Sequence, residues 1–263
     1  MSRLDTEIVL RGIARSRERA KEMIKSGNIS VNGNPVSKAS YEVTQNDIIE
    51  SSEQELYVGR GALKIEKATE VFGLNFSGKV CLDIGASTGG FTDFMLKNGA
   101  VKVFAVDVGH GQLAQSLRND SRVINLEGTD IRTVTPESLG DKVDFISADV
   151  SFISLKMIIP VLCNLLNDGA ESVVLIKPQF EAGKKFIGKH GIVRDKKVHE
   201  RVLSEIDAVI YNSGLTAIDY TFSPIKGGSG NIEYLVHIRK NSDTPVIRDF
   251  RQLVEMAFSK LKE

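Results

Sequence analysis

The amino-acid sequence predicts an α/β fold with a doubly wound, mostly parallel sheet and an antiparallel last strand, preceded by a small α+β domain. From about residue 78, short apolar runs alternate with stretches of helical periodicity, which is the pattern of a parallel sheet covered by helices. The last two apolar runs are joined only by residues 224–230, which are rich in glycine and too few for a helical crossover, so these strands should be antiparallel. The composition changes near residue 57, and we expect two domains, residues 1–56 and 57–263.

The overall composition excludes several classes of protein. The chain has 263 residues, of which 41% are hydrophobic and 26% charged, so it is not a disordered, collagen-like or coiled-coil chain. Its 34 Lys and Arg residues balance its 34 Asp and Glu residues, which excludes coating of nucleic acid by bulk charge but allows a local basic patch. Two cysteines cannot form a disulfide framework or a four-thiolate zinc site, and we expect no metal. Because no apolar segment has membrane length and the N-terminus lacks an apolar signal core, we expect a cytoplasmic protein without membrane contact.

The first domain is predicted to contain a cationic helix. Ser16 is a candidate N-cap, and the apolar positions Ala20, Met23 and Ile24 share one helical face that ends at Gly27. The cations of this helix recur every fourth residue and should form an exposed stripe, which consists of Arg17, Lys21 and Lys25.

A short strand and a tight turn follow this helix. Residues 29–31 alternate apolar and polar side chains, and Asn32-Gly33 is typical of a two-residue hairpin turn. A cationic helix beside a small strand unit suits a module that grips RNA phosphates. The alternative is a solvated helix whose charge is compensated by Glu18 and Glu22, and the pattern alone leaves both interpretations open.

Seven apolar runs supply the strands of the second domain, at residues 79–84, 101–107, 122–126, 143–149, 172–177, 216–222 and 232–239. Helical periodicity lies between them, for example over residues 90–98 and 152–166. A C-terminal stretch with Pro245 near its start has apolar residues at helical spacing from Ile247 to Ala257. It predicts a helix that packs on the core.

The loop after the first strand of this domain is the candidate cofactor site. Its glycines let the backbone turn tightly and approach a ligand at a helix N-terminus. A dinucleotide site would have the pattern G-x-G-x-x-G, but Ser87 stands where the second glycine should be, and Asp83 would repel a pyrophosphate. S-adenosylmethionine has an ammonium and a sulfonium group and no phosphate, so it fits this loop better. The candidate cofactor-binding residues of the loop are Asp83, Gly85, Ala86, Ser87, Gly89, Gly90 and Phe91.

Two further acidic residues follow the next strands. Asp107 lies about 20 residues after Gly85, where a carboxylate can accept hydrogen bonds from both hydroxyls of a nucleoside ribose. Asp130, after the third strand, could accept a hydrogen bond from an adenine amino group. Alternatively, Asp107 caps a helix and Asp130 is a loop carboxylate on solvent.

Charged residues also terminate buried strands, and ligands of such sheets bind at the carboxyl ends of the strands. Asp149 ends one strand, and Lys177 ends another apolar run, where a lysine needs a partner or a chemical role. Glu233 lies near the start of the last strand, which reaches the same edge if that strand is antiparallel. Lys64 is predicted on a helix just before the sheet. The sequence therefore predicts that four titratable groups can converge there.

These four residues also carry a resemblance to a known family. Lys64, Asp149, Lys177 and Glu233 occur in the order of the Lys-Asp-Lys-Glu tetrad of ribose 2′-O-methyltransferases of the FtsJ type, whose sheet is Rossmann-like. The supporting segments are residues 60–64, 149–154, 177–181 and 191–195. Residues 3–5, 16–20 and 31–33 are similar to the marks of the small S-four-type RNA-binding domain. Over residues 3–240 the chain resembles the TlyA-like family, several members of which are also labelled haemolysins.

The resemblance implies S-adenosylmethionine-dependent 2′-O-methylation of a cytidine ribose in ribosomal RNA, with the four tetrad residues as catalytic residues. It also implies ribosomal RNA or ribosomal subunits as partners. The candidate RNA contacts in the first domain are Arg3, Arg17, Lys21 and Lys25. Lys184 and Lys185 are further candidates, in a glycine- and lysine-rich loop whose composition suggests that it closes on RNA phosphates. The alternatives are a non-catalytic rRNA-binding or ribosome-assembly factor and a cytolysin.

Methyl transfer to a ribose hydroxyl requires that the hydroxyl lose its proton as the new bond forms. Lysine has an ordinary pKa of about 10.4, so a lysine base must be made partly neutral. Lys177 is the candidate base; in the alternative it stays charged and stabilises the developing alkoxide. The pair Val150-Ser151 stands where enzymes that methylate base amino groups often have prolines, which favours an oxygen acceptor.

Overall fold

The computed structural model describes residues 2–11, 13–14, 17–52, 57–241 and 248–261. The chain divides into two compact units, residues 1–58 and residues 59–263. Each unit is described by itself.

The first unit consists of two helices and short antiparallel strands. Its helices are α1 (Leu4–Leu10) and α2 (Arg17–Lys25). Its strands are β1 (Ser2–Arg3), β2 (Ile29–Val31), β3 (Asn34–Pro35), β4 (Glu42–Val43) and β5 (Ile49–Ser51). One sheet has the order β3-β2-β5, and β1 pairs with β4. The core contains the predicted face of α2, namely Ala20, Met23 and Ile24, packed with Leu4 and Ile8 of α1.

The predicted hairpin turn of this unit is confirmed. Asn32 and Gly33 both have positive φ, at 51° and 77°, as a two-residue turn between β2 and β3 requires. The candidate cap Ser16 lies outside the described residues.

The second unit is built on a seven-stranded sheet in the order β11-β12-β10-β9-β6-β7-β8. Its strands are β6 (Val80–Ile84), β7 (Lys102–Asp107), β8 (Val123–Glu127), β9 (Val143–Ala148), β10 (Leu166–Ile176), β11 (Leu215–Phe222) and β12 (Tyr234–Lys240). Strands β6 to β10 are parallel, whereas β12 is antiparallel to both β10 and β11. The predicted fold class, with its antiparallel last strand, is confirmed.

Helices cover this sheet. They are α3 (Ala62–Phe72), α4 (Gly90–Lys97), α5 (Gln115–Arg118), α6 (Pro136–Leu139), α7 (Ile159–Leu165), α8 (Pro178–Glu181), α9 (Lys196–Asn212) and α10 (Phe250–Lys260). The buried face of α10 contains Leu253, Val254 and Ala257, as predicted for the C-terminal helix. Pro245 and Ile247 lie outside the described residues.

The helix expected over residues 152–166 is wrong in extent. Phe152 adopts a left-handed conformation with φ of 63°, which an α-helix cannot contain. Ser154 then caps a single 3-10 turn, Leu155–Met157, and α7 begins only at Ile159. The strand expected from residue 172 is longer than predicted and begins at Leu166.

The ends of four neighbouring strands form one edge of the sheet, where the functional side chains lie. The carboxyl ends of β6, β9 and β10 lie side by side, and Tyr234 at the start of β12 pairs with Ile176 at the end of β10. The interior of the sheet is apolar and buried. Polar side chains just beyond these strand ends therefore come together at this edge.

Candidate active site

Four charged side chains meet at this edge. Lys64 lies in the first turn of α3, Asp149 directly follows β9, Lys177 directly follows β10 and Glu233 directly precedes β12. Lys64 and Glu233 are 169 positions apart in the chain and in direct contact. The antiparallel direction of β12 makes this possible, because it brings Glu233 to the edge where the parallel strands end.

The four side chains form a continuous series of ionic contacts. Lys64 Nζ donates hydrogen bonds to Asp149 Oδ2 and Glu233 Oε2, each 2.9 Å long. Lys177 Nζ lies 2.6 Å from the other oxygen of Asp149, Oδ1. Asp149 is thus shared by both lysines, whereas Glu233 contacts Lys64. Lys64, Lys177 and Glu233 are buried.

The electrostatics of this cluster fix two charge states. Burial lowers the pKa of the Lys64 ammonium, but the attraction of Asp149 and Glu233 outweighs burial, so the pKa lies above its ordinary value. Burial likewise raises the pKa of Asp149, but Lys64 and Lys177 outweigh it, and the pKa lies below its ordinary value. At neutral pH Lys64 is therefore cationic and Asp149 anionic.

Two uncharged side chains extend the series. Lys177 Nζ donates a 2.9 Å hydrogen bond to Ser151 Oγ, and Gln179 Nε2 donates one of 3.4 Å to Glu233 Oε1. Sequence reasoning missed both contacts, because side-chain contacts across strands depend on the tertiary structure. The available signal is that Ser151 and Gln179 belong to two of the segments that carry the family resemblance.

A cavity of about 540 Å³ opens beside the cluster. Lys64 and Asp149 form part of its wall. The predicted cofactor residues in its wall are Asp83, Gly85, Ala86, Ser87, Gly90 and Phe91. Arg60 and Lys226 add two cations to this wall that sequence reasoning did not single out.

A second cavity of about 540 Å³ adjoins the first, since both are lined by Gly85, Ser87 and Asp149. It contains the two remaining acidic candidates, Asp107 and Asp130. Its other walls are largely apolar and include Val108, Ile131, Ile153 and Ile158. An acidic and apolar cavity of this kind suits a nucleoside.

The two acids of this second cavity are already engaged with the protein. Asp107 accepts backbone hydrogen bonds of 2.8 Å from Ser87 and Gly109. A carboxylate can accept about four hydrogen bonds, so about two positions remain on Asp107 for ribose hydroxyls. Asp130 accepts from the side chain and backbone of Arg132, which lower its pKa to about 2. An adenine amino group would share Asp130 with Arg132.

Asp83 occupies a different environment from these two acids. It is buried, and it accepts hydrogen bonds from Thr92 N and Oγ1 and from Ser147 Oγ, at 3.0, 2.7 and 3.0 Å. Burial raises its pKa to about 6 despite these hydrogen bonds. Asp83 thus anchors the start of α4 from inside the sheet while lining the first cavity.

Two glycines of the loop are required by close packing. Gly85 has φ of 79°, and a Cβ there would lie 2.5 Å from the carbonyl oxygen of Asp149. Gly89 has φ of 95°, and a Cβ there would overlap the side chain of Leu117. Gly85 therefore joins the loop to the tetrad, whereas Gly89 serves the packing of the loop and is absent from the walls of both cavities.

An exposed aromatic pair borders the cluster. The Phe152 side chain is 92% exposed, and its ring lies 5.1 Å from that of Phe180, which is itself 5.9 Å from Lys177 Nζ. Phe152, Phe180 and Lys184 line a further cavity of about 290 Å³. Lys184 and Lys185 are exposed, as a loop that contacts RNA requires. Phe186 instead packs between Lys185 and Arg201.

The candidate RNA contacts of the first unit fall into two groups. Lys21 and Lys25 are exposed along α2, as predicted. Arg3 and Arg17 both contact the carboxylate of Asp5. Sequence reasoning missed this role of Asp5, although Arg3-Leu4-Asp5 is one of the segments that resemble the S-four-type domain.

The described part of the chain contains neither a metal-binding cluster nor a membrane-spanning helix. No three or more His, Cys, Asp or Glu residues within it are grouped so that they could hold a metal ion. Within the same residues, no helix is both long and apolar enough to cross a membrane.

The sheet and the glycine-rich loop define the fold of S-adenosylmethionine-dependent methyltransferases. A solved structure from Listeria monocytogenes, described as such an enzyme, has this fold with a TM-score of 0.53 and 14% identity, covering 70% of this chain and all of that one. The family model for FtsJ-like methyltransferases matches residues 57–240, and that for the S4 domain matches residues 2–49. The chain therefore belongs to the FtsJ-like methyltransferase family, and it carries an S4 domain.

Two relatives are similar over nearly the whole chain. The 16S/23S rRNA (cytidine-2′-O)-methyltransferase TlyA of Mycobacterium tuberculosis is 43% identical over 92% of this chain and 91% of its own length. A solved structure from Streptococcus thermophilus, described as a hemolysin, is 41% identical with a TM-score of 0.79, covering 99% of this chain and 97% of that one. The resemblance to the TlyA-like family that the motifs indicate is thus confirmed.

Proposed function

We propose that this protein transfers a methyl group from S-adenosylmethionine to the 2′-oxygen of a cytidine ribose in ribosomal RNA. The contact series Glu233–Lys64–Asp149–Lys177 beside a glycine-rich loop carries this proposal. The similarity to a relative named as a 16S/23S rRNA (cytidine-2′-O)-methyltransferase supports the substrate class. Ribosomal RNA or a ribosomal subunit is accordingly the proposed partner, and the cytoplasm the proposed compartment.

The two adjoining cavities fit S-adenosylmethionine. Asp107, Asp130 and the apolar walls of the second cavity would hold the nucleoside, with two positions on Asp107 for the ribose hydroxyls. Asp83 and the loop residues of the first cavity would hold the methionine part, whose ammonium suits an acidic wall. When bound, this cofactor supplies an activated methyl group on a positively charged sulfur. Gly85, Ser87 and Asp149 line both cavities and would therefore lie closest to that sulfur.

The tetrad would then handle the proton of the ribose hydroxyl. The ribose hydroxyl would have to lose its proton as its oxygen accepts the methyl group that the bound cofactor would supply. Lys64 is held in its charged form by two carboxylates, whereas Lys177 has one carboxylate partner among the described residues, Asp149, which it shares with Lys64. Lys177 is therefore the better base. If it donates one N–H to Asp149 and one to Ser151, its lone pair points away from both and is available to accept the hydroxyl proton.

The surface around the tetrad would hold the RNA. The exposed Phe152, in contact with Phe180, provides an aromatic face on which a base can stack, and the exposed Lys184 and Lys185 suit RNA phosphates. In the first unit, Arg3, Arg17, Lys21 and Lys25 are the proposed RNA contacts. We retain residues 1–56 as the proposed RNA-binding domain and residues 57–263 as the proposed catalytic domain.

The experiment incubates the wild-type protein with labelled S-adenosylmethionine and purified ribosomal subunits and then maps ribose methylation. Methylation at a discrete cytidine is expected. Lys177→Ala should abolish methyl transfer while changing cofactor affinity little, since Lys177 is absent from the walls of both cofactor cavities. Full activity of this variant would discard the catalytic assignment. Cofactor binding by the wild-type protein without any methyl transfer would support the non-catalytic alternative.

Cytolysis is a second candidate function, favoured by the similarity to the Streptococcus thermophilus protein described as a hemolysin. Leakage of dye from pure lipid vesicles tests it directly. Vesicles that stay intact under conditions where the protein methylates ribosomal subunits would remove this candidate.

A further inference from the structure

A buried aspartate lies behind two arginines in the first unit. The Asp5 side chain is fully buried, and its two oxygens accept hydrogen bonds of 3.0 and 3.2 Å from Arg3 Nε and Nη2. Arg17 Nη2 donates a further one of 2.9 Å to Asp5 Oδ2. The side chains of Arg3 and Arg17, in contrast, are 50% and 51% exposed. Three elements, β1, α1 and α2, each contribute one of these residues.

In this arrangement the carboxylate of Asp5 is buried, whereas the guanidinium groups of Arg3 and Arg17 are accessible to solvent. Hydrogen bonds from Arg3 outweigh the effect of burial and, with Arg17, lower the pKa of Asp5 to about 2, so the carboxylate is ionised at neutral pH. The exposed groups are two guanidinium ions. A guanidinium has five N–H donors in a rigid plane, so the two that Arg3 gives to Asp5 leave three for an external anion. Lys21 and Lys25 continue the exposed cationic surface along α2.

We propose that Asp5 is a positioning residue, which holds Arg3 and Arg17 ready to bind a phosphodiester group of RNA. Guanidinium groups that are already oriented lose less side-chain entropy on binding than free ones, and their geometry matches phosphate oxygens. This inference rests on the proposed function only in that the first unit binds RNA. The new element is that Asp5, although negatively charged, strengthens the binding of negatively charged RNA.

The proposal predicts that loss of the negative charge of Asp5 weakens RNA binding, whereas the change in net charge alone predicts tighter binding. Asp5→Asn removes one negative charge, which by bulk electrostatics should tighten RNA binding. The amide, however, has only one acceptor oxygen, and its NH₂ group would face arginine N–H donors, so at least one guanidinium is released. The matched control is Glu18→Gln, which removes the same charge from an exposed position next to Arg17.

The experiment measures the affinity of the full-length variants for a labelled RNA duplex and for purified ribosomal subunits at several salt concentrations. We expect Asp5→Asn to weaken binding roughly tenfold and to reduce the slope of log affinity against log salt by about 1 to 2, because phosphate contacts are lost. Glu18→Gln should leave binding unchanged or tighten it. Asp5→Asn that is folded by circular dichroism and binds as tightly as Glu18→Gln would overturn the proposal.

If Asp5→Asn fails to fold, a second variant tests whether the oriented guanidinium groups contribute to RNA binding. Arg3→Lys combined with Arg17→Lys keeps every charge but loses the planar groups that Asp5 orients. Roughly tenfold weaker binding with a reduced salt slope supports the proposal, and wild-type affinity and slope overturn it. Failure of the proposed enzymatic function would appear separately, as an absence of methylation by the wild-type protein. Failure of the first unit to bind RNA would appear as an unchanged RNA affinity after deletion of residues 1–56.

Discussion

Asp149 gives the proposed active site its asymmetry, because each of its oxygens contacts a different lysine. Lys64 has a second carboxylate partner in Glu233, whereas Lys177 has the hydroxyl of Ser151. Loss of a proton from Lys64 would leave two carboxylates beside a neutral amine, which is costly. The same loss from Lys177 leaves Asp149 still paired with Lys64. The arrangement therefore favours Lys177 over Lys64 as the proposed base.

Asp83 makes the stability of the protein depend on pH. Its pKa rises from an ordinary 3.8 to about 6 in the folded protein, chiefly because it is buried. Between these values the folded state binds more protons than the unfolded state, so the contribution of Asp83 to stability is fully present below about pH 4 and is lost as the pH rises through 6. An asparagine at this position does not titrate.

We therefore compare the free energies of unfolding of the wild-type protein and Asp83→Asn. The wild-type value minus the variant value should fall by up to about 3 kcal/mol between about pH 4 and pH 7. Denaturant unfolding of both proteins across this range measures the difference, and a constant offset from altered hydrogen bonds with Thr92 and Ser147 does not affect its slope. A difference that is independent of pH, or that grows in the other direction, would show that Asp83 is not protonated preferentially in the folded state.

At the scale of elements, the loop between β11 and β12 supports the tetrad from one side. Gly227 lies against Glu233, and a Cβ on Gly227 would overlap Glu233 Oε1. The loop is held by hydrogen bonds from Gly227 N to Asn231 O and from Gly230 N to Gly227 O. Because this backbone is fixed, the Glu233 carboxylate must move if a methyl group is added to Gly227.

We expect Gly227→Ala to displace the Glu233 carboxylate from Lys64 and to lower kcat for methyl transfer by roughly tenfold or more. Gly228→Ala is the control, since a Cβ there has nothing within 4 Å, and it should keep most of the activity. Steady-state kinetics on ribosomal subunits compares the two. Equal activity of both variants would mean that the position of Glu233 is not critical.

The seven strands of the second unit were predictable because each coincides with a segment rich in apolar residues, whereas β1, β4 and β5 of the first unit are too short to give such a signal. Lys177 shows why the site could be predicted in part: a lysine after four apolar residues marks the carboxyl end of a buried strand. The left-handed Phe152, which shortens the expected helix, was not predictable, since a bulky residue rarely adopts positive φ. The contacts of Asp5 and Ser151 also depend on which elements pack together. The catalytic and binding roles, and the boundary at residue 56, stay predictions.

At the scale of the whole molecule, zero net charge coexists with local charge of definite sign. The second unit holds two lysines and two carboxylates in contact at the sheet edge, and the first unit presents Arg3, Arg17, Lys21 and Lys25. RNA affinity should therefore come from local cation groups and be sensitive to salt, although the chain as a whole is neutral. Each unit can then be tested for a separate contribution.

Deletion of residues 1–56 should separate RNA affinity from cofactor affinity. Among the described residues, those that line the two proposed cofactor cavities all lie between Arg60 and Gly230, so S-adenosylmethionine should bind the truncated chain as it binds the full one. Binding to ribosomal subunits should weaken by roughly tenfold or more, since four proposed cationic contacts are removed. The loss should appear mainly as a higher KM for the subunits, because the tetrad is intact.

Calorimetry with S-adenosylmethionine and filter binding with ribosomal subunits measure the two affinities. The control is the full-length chain with Lys184→Ala and Lys185→Ala, which should lose part of its subunit affinity through a different surface and keep its cofactor affinity. Unchanged subunit affinity after the deletion would refute an RNA-binding role of the first unit. Loss of cofactor affinity in the truncated chain would instead mean that the second unit needs residues 1–56 to maintain the two cavities at the carboxyl ends of β6, β7 and β9.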